Sequence, residues 1–223
     1  SKNTDDRVEA VAKAMAELLQ SILREGDVIG VDCGRTMTRI APYLSALPQC
    51  DVVQLTGLAG GLTSNGADLT RRISEVTGGR SWPLYAPYVV ADARTAASLA
   101  STPQIEDAFA NHGRVTCALV SVGGWNPDAS QVYTSVSEDE ASALYDEGVR
   151  AETCGLLLDA KGQRVAGLDE RRMGITEDGL RAIPTVVAIS AGTAKIEATR
   201  AVLLSGLVSA LVTDTEIAAA VLE

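Results

Sequence analysis

Residues 185–189 (Thr-Val-Val-Ala-Ile) form an apolar, largely β-branched run that passes straight into a turn of small residues, Ser190-Ala191-Gly192-Thr193-Ala194. A helical pattern begins at Lys195, a second apolar run covers 207–212, and a further helical pattern follows Thr213-Asp214. The order is strand, glycine turn, helix, strand. Such a turn aims bare backbone N–H groups and a helix N-terminus at whatever sits above the sheet, which favours an anion such as phosphate. Lys195 adds a formal positive charge at the same place.

The same alternation runs through most of the chain. Apolar extended runs at 28–31, 51–55, 83–90, 115–122 and 152–158 read as strands, with a short return strand at 164–166 after the turn Asp159-Ala160-Lys161-Gly162. The spacing of Val8, Val11, Ala12, Met15, Leu18, Leu19, Ile22 and Leu23 predicts an amphipathic helix over 5–24. Further helices are expected from 36 to about 47, where Pro42 kinks or shortens the element, and from 66 to 76. Others start near Asp92, at Pro103, at the capping box Ser137-Glu138-Asp139-Glu140 and after the cap Thr176. Strands alternating with helices, with glycine loops after the strands, predict a doubly wound α/β domain: a mainly parallel sheet with helices on both faces. Ligands in such domains bind beyond the carboxyl ends of the strands, so the loops after Val31, Leu55 and Ile189 should converge on one crevice. Residues 1–24 read as a linker or dimerisation helix and residues 25–223 as the binding domain.

At 223 residues, 46% hydrophobic and 22% charged, the chain can build one domain with a sizeable core. One Phe and two Trp leave Ala, Val, Leu and Ile to fill it, which suits a parallel sheet wrapped by helices. A net charge of −10 gives no basic face, which excludes nucleic-acid binding by this stretch itself. Cys33, Cys50, Cys117 and Cys154 lie at no CxxC spacing and His112 is the single histidine, so buried thiols in a reducing cytoplasm are expected rather than a zinc site. No uninterrupted apolar stretch reaches about 18 residues and no signal peptide is visible, so no membrane partner is expected. The chain opens on Ser1 and a charged helical pattern, which reads as a piece of a protein that extends upstream.

Three loops could carry chemistry. In Gly34-Arg35-Thr36-Met37 the glycine permits an unusual backbone angle, Arg35 offers a bidentate fork for phosphate, and the Thr36 hydroxyl is both donor and helix cap. An ordinary strand-to-helix turn with a surface arginine explains the same letters. Thr56-Gly57-Leu58-Ala59-Gly60-Gly61 offers a second set of backbone donors, or simple close packing. In Gly192-Thr193-Ala194-Lys195 an exposed lysine at a helix N-terminus opposes the helix dipole, and an anionic ligand gives it a reason; a solvated lysine is the plain alternative. Glu152, at the start of a strand, could accept hydrogen bonds from sugar hydroxyls, although position alone favours a rim charge. Turn chemistry explains Asp159, N-capping explains Asp214, and His112 reads as a surface residue. Trp125, beside Gly123-Gly124, stacks on a ligand or covers an edge. No Ser-His-Asp or Cys-His arrangement can be built, so no catalytic residue is nominated.

Taken in order, Gly34-Arg35-Thr36, Gln54-Leu55-Thr56-Gly57, Ala151-Glu152-Thr153-Cys154-Gly155-Leu156-Leu157-Leu158-Asp159 with Gly162, and Ala191-Gly192-Thr193-Ala194-Lys195 through Val212-Thr213-Asp214 and Ala218 resemble one family. It is the effector-binding domain of the SorC/DeoR-type bacterial sugar-responsive transcriptional regulators, and the likeness spans nearly all of residues 8–223. The resemblance implies a Rossmann-like domain related in shape to sugar-phosphate isomerases and deaminases. It also implies an upstream helix-turn-helix, absent here, through which alone DNA is bound, and a cytoplasmic homo-oligomer, dimer or tetramer. The implied ligand is a phosphorylated sugar or related polyol; no cofactor and no metal are implied. Carried over by position, Arg35, Thr36 and Lys195 would contact phosphate, Glu152 would contact hydroxyls, and Thr56 and Gly57 would line the same pocket. Gly34, Met37 and Gly192 complete the expected ligand-binding set. The chain departs from the family pattern in two places: Arg35 stands where a small residue is common, and Gly192-Thr193 lacks a second glycine.

Three functions follow. The first is an effector-binding module whose occupancy switches oligomer contacts and DNA affinity. The second is a sugar-phosphate isomerase or deaminase of similar fold, for which Glu152 or Asp214 could be nominated as base, but without a carboxylate or histidine partner near the loops. The third is a scaffold whose pocket is vestigial.

Overall fold

Alternation of side chains across the strands decides where this molecule puts its core. In the computed structural model, which describes residues 2–59 and 66–223, the chain runs α1 (Lys2–Ile22), β1 (Val28–Val31), α2 (Arg35–Thr38), β2 (Asp51–Gln54), α3 (Gly66–Thr77) and β3 (Ser81–Trp82). It continues α4 (Ala93–Ala100), α5 (Pro103–Asn111), β4 (Cys117–Ser121), β5 (Gly123–Gly124), α6 (Glu138–Asp146), β6 (Ala151–Thr153) and β7 (Leu156–Leu158). It closes with α7 (Glu177–Arg181), β8 (Thr185–Ser190), α8 (Ile196–Leu204), β9 (Ala210–Thr213) and α9 (Thr215–Leu222). Among the described residues no helix is long and apolar enough to cross a membrane.

Six parallel strands among these residues form one sheet in the order β3-β2-β1-β4-β8-β9. Ile29, Val31, Val52, Leu119 and Ile189 point to one face, where Met15, Leu19, Met37, Ile40 and Ile73 cover them. Val28, Val53, Ala118, Val120 and Ala188 point to the other and meet Ala198, Ala201, Val202 and Leu180. Neighbouring strand residues thus serve opposite faces, as the two-residue period requires. The expected doubly wound sheet is present. The apolar stripe of α1 lies in its own domain's core, with Val11, Met15 and Leu19 at most 3% exposed. The four cysteines are buried and form no disulfide.

Several elements differ from the sequence expectation. The helix after Arg35 stops at Thr38, and Ala41–Tyr43 is a separate 3-10 turn. The reason is Pro42, which lacks an N–H and whose ring clashes with the carbonyl four residues back, that of Thr38. The apolar stretch 83–90 is not a ladder strand; it makes isolated bridges, Leu58 with Pro87 and Val89 with Arg172. The expected single strand over 152–158 is two, β6 and β7, paired antiparallel with Thr153 opposite Leu156. The loop between them is two residues long, and both Cys154 (φ 50°) and Gly155 (φ 68°) take the left-handed backbone that tight hairpins need. The return strand at 164–166 reduces to one bridge between Leu158 and Arg164. With β5, the hairpin forms a small three-stranded sheet over the domain face that also carries α8.

Candidate functional site

In this strand order the topology reverses between β1 and β4, because the chain winds outward from β1 to β3 before crossing to β4. The loops leaving the carboxyl ends of these two strands therefore separate and open a crevice. Gly34, Arg35 and Thr36 line it from the β1 side, Ser121, Val122 and Gly123 from the β4 side, and Lys195 enters from the loop after β8. Glu152, on β6, and Ala129 and Gln131, on the segment after β5, close the top.

The Lys195 ammonium does not point into bulk water. It donates to the Val122 carbonyl at 2.7 Å. Desolvation lowers its pKa to about 8, opposed by the Glu152 carboxylate and reinforced by the Arg35 charge. The rim position expected for Glu152 is overturned: the residue is 4% exposed. Its Oε1 accepts from the Ser130 hydroxyl at 3.0 Å and its Oε2 from the Gly155 amide at 3.2 Å. Burial, with the nearby Asp32 charge, pushes its pKa up to about 7 against the pull of those donors and of Lys195. Gly123 pairs opposite Glu152, and a β-carbon there would stand 1.9 Å from Oε1, so only glycine leaves room for this carboxylate.

Asp32 was not singled out by sequence reasoning, and it holds the floor together. It is fully buried. Its Oδ1 accepts from the Cys33 amide at 2.7 Å, the Thr56 hydroxyl at 2.8 Å and the Tyr88 hydroxyl at 3.3 Å. Its Oδ2 accepts from the amide and hydroxyl of Ser121 at 3.0 and 2.7 Å. Burial raises its pKa even against these donors. The local sign was an aspartate flush against a four-residue buried strand and two residues before Gly34; apart from the adjacent Cys33, its partners lie 24 to 89 positions away.

Of the nine residues expected to bind ligand, Gly34, Arg35, Thr36, Glu152 and Lys195 meet in the crevice. The others stand elsewhere. Met37 is buried in the main core. Thr56 lies one step behind the crevice, through Asp32. The Gly57 amide donates to the Met173 carbonyl at 2.7 Å, which makes it a packing residue. Gly60 and Gly61 of the same loop fall outside the described residues. The Gly192 amide donates to Asp214 Oδ2 at 2.7 Å, so the third loop supplies its lysine rather than this amide. Asp214 also caps α9 through the amides of Glu216 and Ile217, and Asp159 accepts from the amides of Lys161 and Gln163, as expected. Trp125 covers an edge: its indole donates to the Ala141 carbonyl at 3.0 Å and its ring stands edge-on to Tyr133. His112 is not a surface residue; it is half-buried, with Nε2 3.1 Å from the Gln54 carbonyl, and burial lowers its pKa.

This geometry gives a half-buried, largely desolvated cation, an exposed Arg35, a loop of small residues and a buried carboxylate around one narrow space. Among the described residues that space is about 20 Å³, room for one water. The whole chain, residues 1–223, matches the model of the family described as "Putative sugar-binding domain". The chain belongs to this family. It is 29% identical over 211 residues to the uncharacterized transcriptional regulator YjhU of Escherichia coli, covering 92% of this chain and 64% of that protein. It is 28% identical over 221 residues to the erythritol catabolism regulatory protein EryD of Brucella abortus, covering 96% and 69%. The chain thus spans about two thirds of the length of these relatives. Its fold matches the full-length sorbitol operon regulator SorC of Klebsiella pneumoniae with a TM-score of 0.90 at 19% identity, over 98% of this chain and 73% of that one. A domain of a possible sugar-binding transcriptional regulator from Arthrobacter aurescens matches with a TM-score of 0.88 at 22% identity, over 99% and 88%. The relatives it matches in sequence are named as transcriptional regulators, and the solved structures it matches share its fold.

Proposed function

We propose that the crevice binds a phosphorylated sugar or related polyol and that occupancy switches the contacts between subunits of a homo-oligomer, and with them the DNA affinity of a separate helix-turn-helix domain. The observation that carries this reading is the meeting of Lys195, Arg35 and Glu152 in one crevice at the switch point of the sheet. A phosphate dianion takes the ammonium, the guanidinium and the hydroxyl of Thr36, while Glu152 accepts from sugar hydroxyls. Gly34 lets the ligand approach the backbone. A sugar phosphate fits only when the segment carrying Ala129 and Gln131 moves outward. Among the described residues that segment is tied to its surroundings through side chains: Arg35 to the Asp128 carbonyl, Ser130 to Glu152, Cys33 to Gln131 Oε1 at 4.0 Å, and Gln131 to the Ala59 carbonyl at 3.5 Å. A ligand that replaces these ties converts binding into a shift of surface shape. A coupling of roughly 1–3 kcal/mol is enough for such a switch. On this reading α1, continuous with the domain core, carries the shift toward the DNA reader. Being a binding module, the domain is no enzyme.

The test is calorimetric titration with a panel of pentose, hexose and polyol phosphates, with product analysis on the same samples. Stoichiometric binding without turnover supports the regulator reading. Turnover of any member would replace it by the isomerase or deaminase reading, and no binding to any member would contradict both.

A further inference from the structure

A second and larger cavity, about 680 Å³, lies on another part of the molecule and shares no lining residue with the crevice. Its volume falls within the roughly 300–1,000 Å³ of small-molecule sites. One wall is the face of α4 that carries Ala93, Ala96, Ala97 and Ala100. Ala96 and Ala100 are half-buried and pack against the small core around Leu84, Ile105 and Met173, while Ala93 and Ala97 are exposed, so the wall runs from that core to open space. Opposite stand Met173 and Ile175, each 1% exposed. Phe109 and His112, edge-on at 5.4 Å between ring centroids, close one end.

Within this apolar lining stand His112, Arg172 and Thr176, with Asp169 and Glu170 at the mouth. The His112 ring is anchored through Nε2 to the Gln54 carbonyl. Arg172 has a side chain only 5% exposed. Among the described residues its Nε, itself sealed from solvent, has no hydrogen-bond partner, its Nη1 reaches the Cys154 carbonyl at a long 3.4 Å, and the Asp169 carboxylate stands at 3.9 Å, beyond hydrogen-bond range, so a ligand would meet the guanidinium through its Nη edge. A buried guanidinium left this short of acceptors is costly unless an acceptor arrives. The carboxylates at the mouth, Asp169 and Glu170, are exposed to water and screened, and Asp169 is already paired with Arg164 at 2.5 Å.

From the apolar walls and the under-partnered Arg172, we infer that this cavity is a second ligand site, for a small organic acid with a hydrocarbon or aromatic body whose anionic end turns toward Arg172. The inference does not rest on what occupies the crevice.

Anilinonaphthalene sulfonate, an aromatic body bearing one anion, is a direct probe. Its fluorescence should rise and saturate at one dye per chain. Ala97 is exposed on the cavity wall, so Ala97→Trp fills the space without disturbing the core and should weaken dye binding by at least about tenfold. Octanoate should displace the dye at a concentration about tenfold lower than octanol does, because only the acid pairs with the guanidinium. Unsaturable binding, or binding unchanged by Ala97→Trp, overturns the site. Equal displacement by octanol overturns the assignment to an acid. Displacement by ribose phosphate would put the dye in the crevice and overturn the proposal as well.

Discussion

Glu152 and Lys195 are pushed toward each other in pKa by the same low-dielectric setting: burial lifts the carboxyl to about 7 and desolvation lowers the ammonium to about 8. The signs fix a pH dependence. Lys195 loses its positive charge as pH rises through about 8, which removes its attraction for a phosphate dianion. Glu152 gains a proton as pH falls through about 7, which removes an acceptor for sugar hydroxyls. Affinity for a sugar phosphate should therefore peak between these two values and fall on both sides, measured by calorimetry below, between and above them. In Glu152→Gln the acid-side fall should shrink to that of the phosphate's own titration, since the amide does not titrate. At this scale the sequence was readable where a residue type is out of place. A lysine at a helix start is such a case, and Lys195 is in the crevice. The burial of Glu152, as against its place in the crevice, was not legible, because an isolated carboxylate between Ala151 and Thr153 carries no mark of burial, and its donors Ser130 and Gly155 enter from a turn and a segment that no local pattern joins to it.

The β6–β7 hairpin is the element on which the carboxylate depends. The sequence reads as one strand because the residues from Ala151 to Leu158 are buried throughout, and a continuous buried run shows no alternation that would reveal a reversal. The turn residues are Cys-Gly rather than the Asn-Gly or Asp-Gly that signal such a hairpin, so the reversal had no strong local sign. Gly155 is the sensitive position. It has φ 68°, and an added β-carbon would stand 2.7 Å from Tyr88 Cε1. Gly155→Ala should lose roughly 1–3 kcal/mol of stability in urea unfolding, from left-handed backbone strain and overpacking. It should also weaken ligand binding in the fraction that stays folded, since the Gly155 amide positions Glu152. A shortened helix after Arg35 was, by contrast, legible, because Pro42 announces its effect through covalent geometry alone.

For the whole molecule, the alternation of strands and helices was enough to predict the doubly wound class, since a parallel pair needs a crossover and a crossover needs a helix. Strand order was not legible: β1 pairs with β4 across 88 positions, from Ile29 to Cys117, and nothing local encodes that choice. Yet the order creates the site, because the reversal beside β1 parts the loops. Binding in that gap depends on the half-buried Lys195 ammonium acting as the cation for a phosphate group. The most direct measurement is calorimetric titration of Lys195→Ala, checked for an unchanged fold by circular dichroism, with the sugar phosphate that binds the unaltered chain best. The account predicts an affinity about tenfold to a hundredfold weaker, the worth of one charge-assisted contact in a desolvated site. An affinity equal to that of the unaltered chain would contradict it.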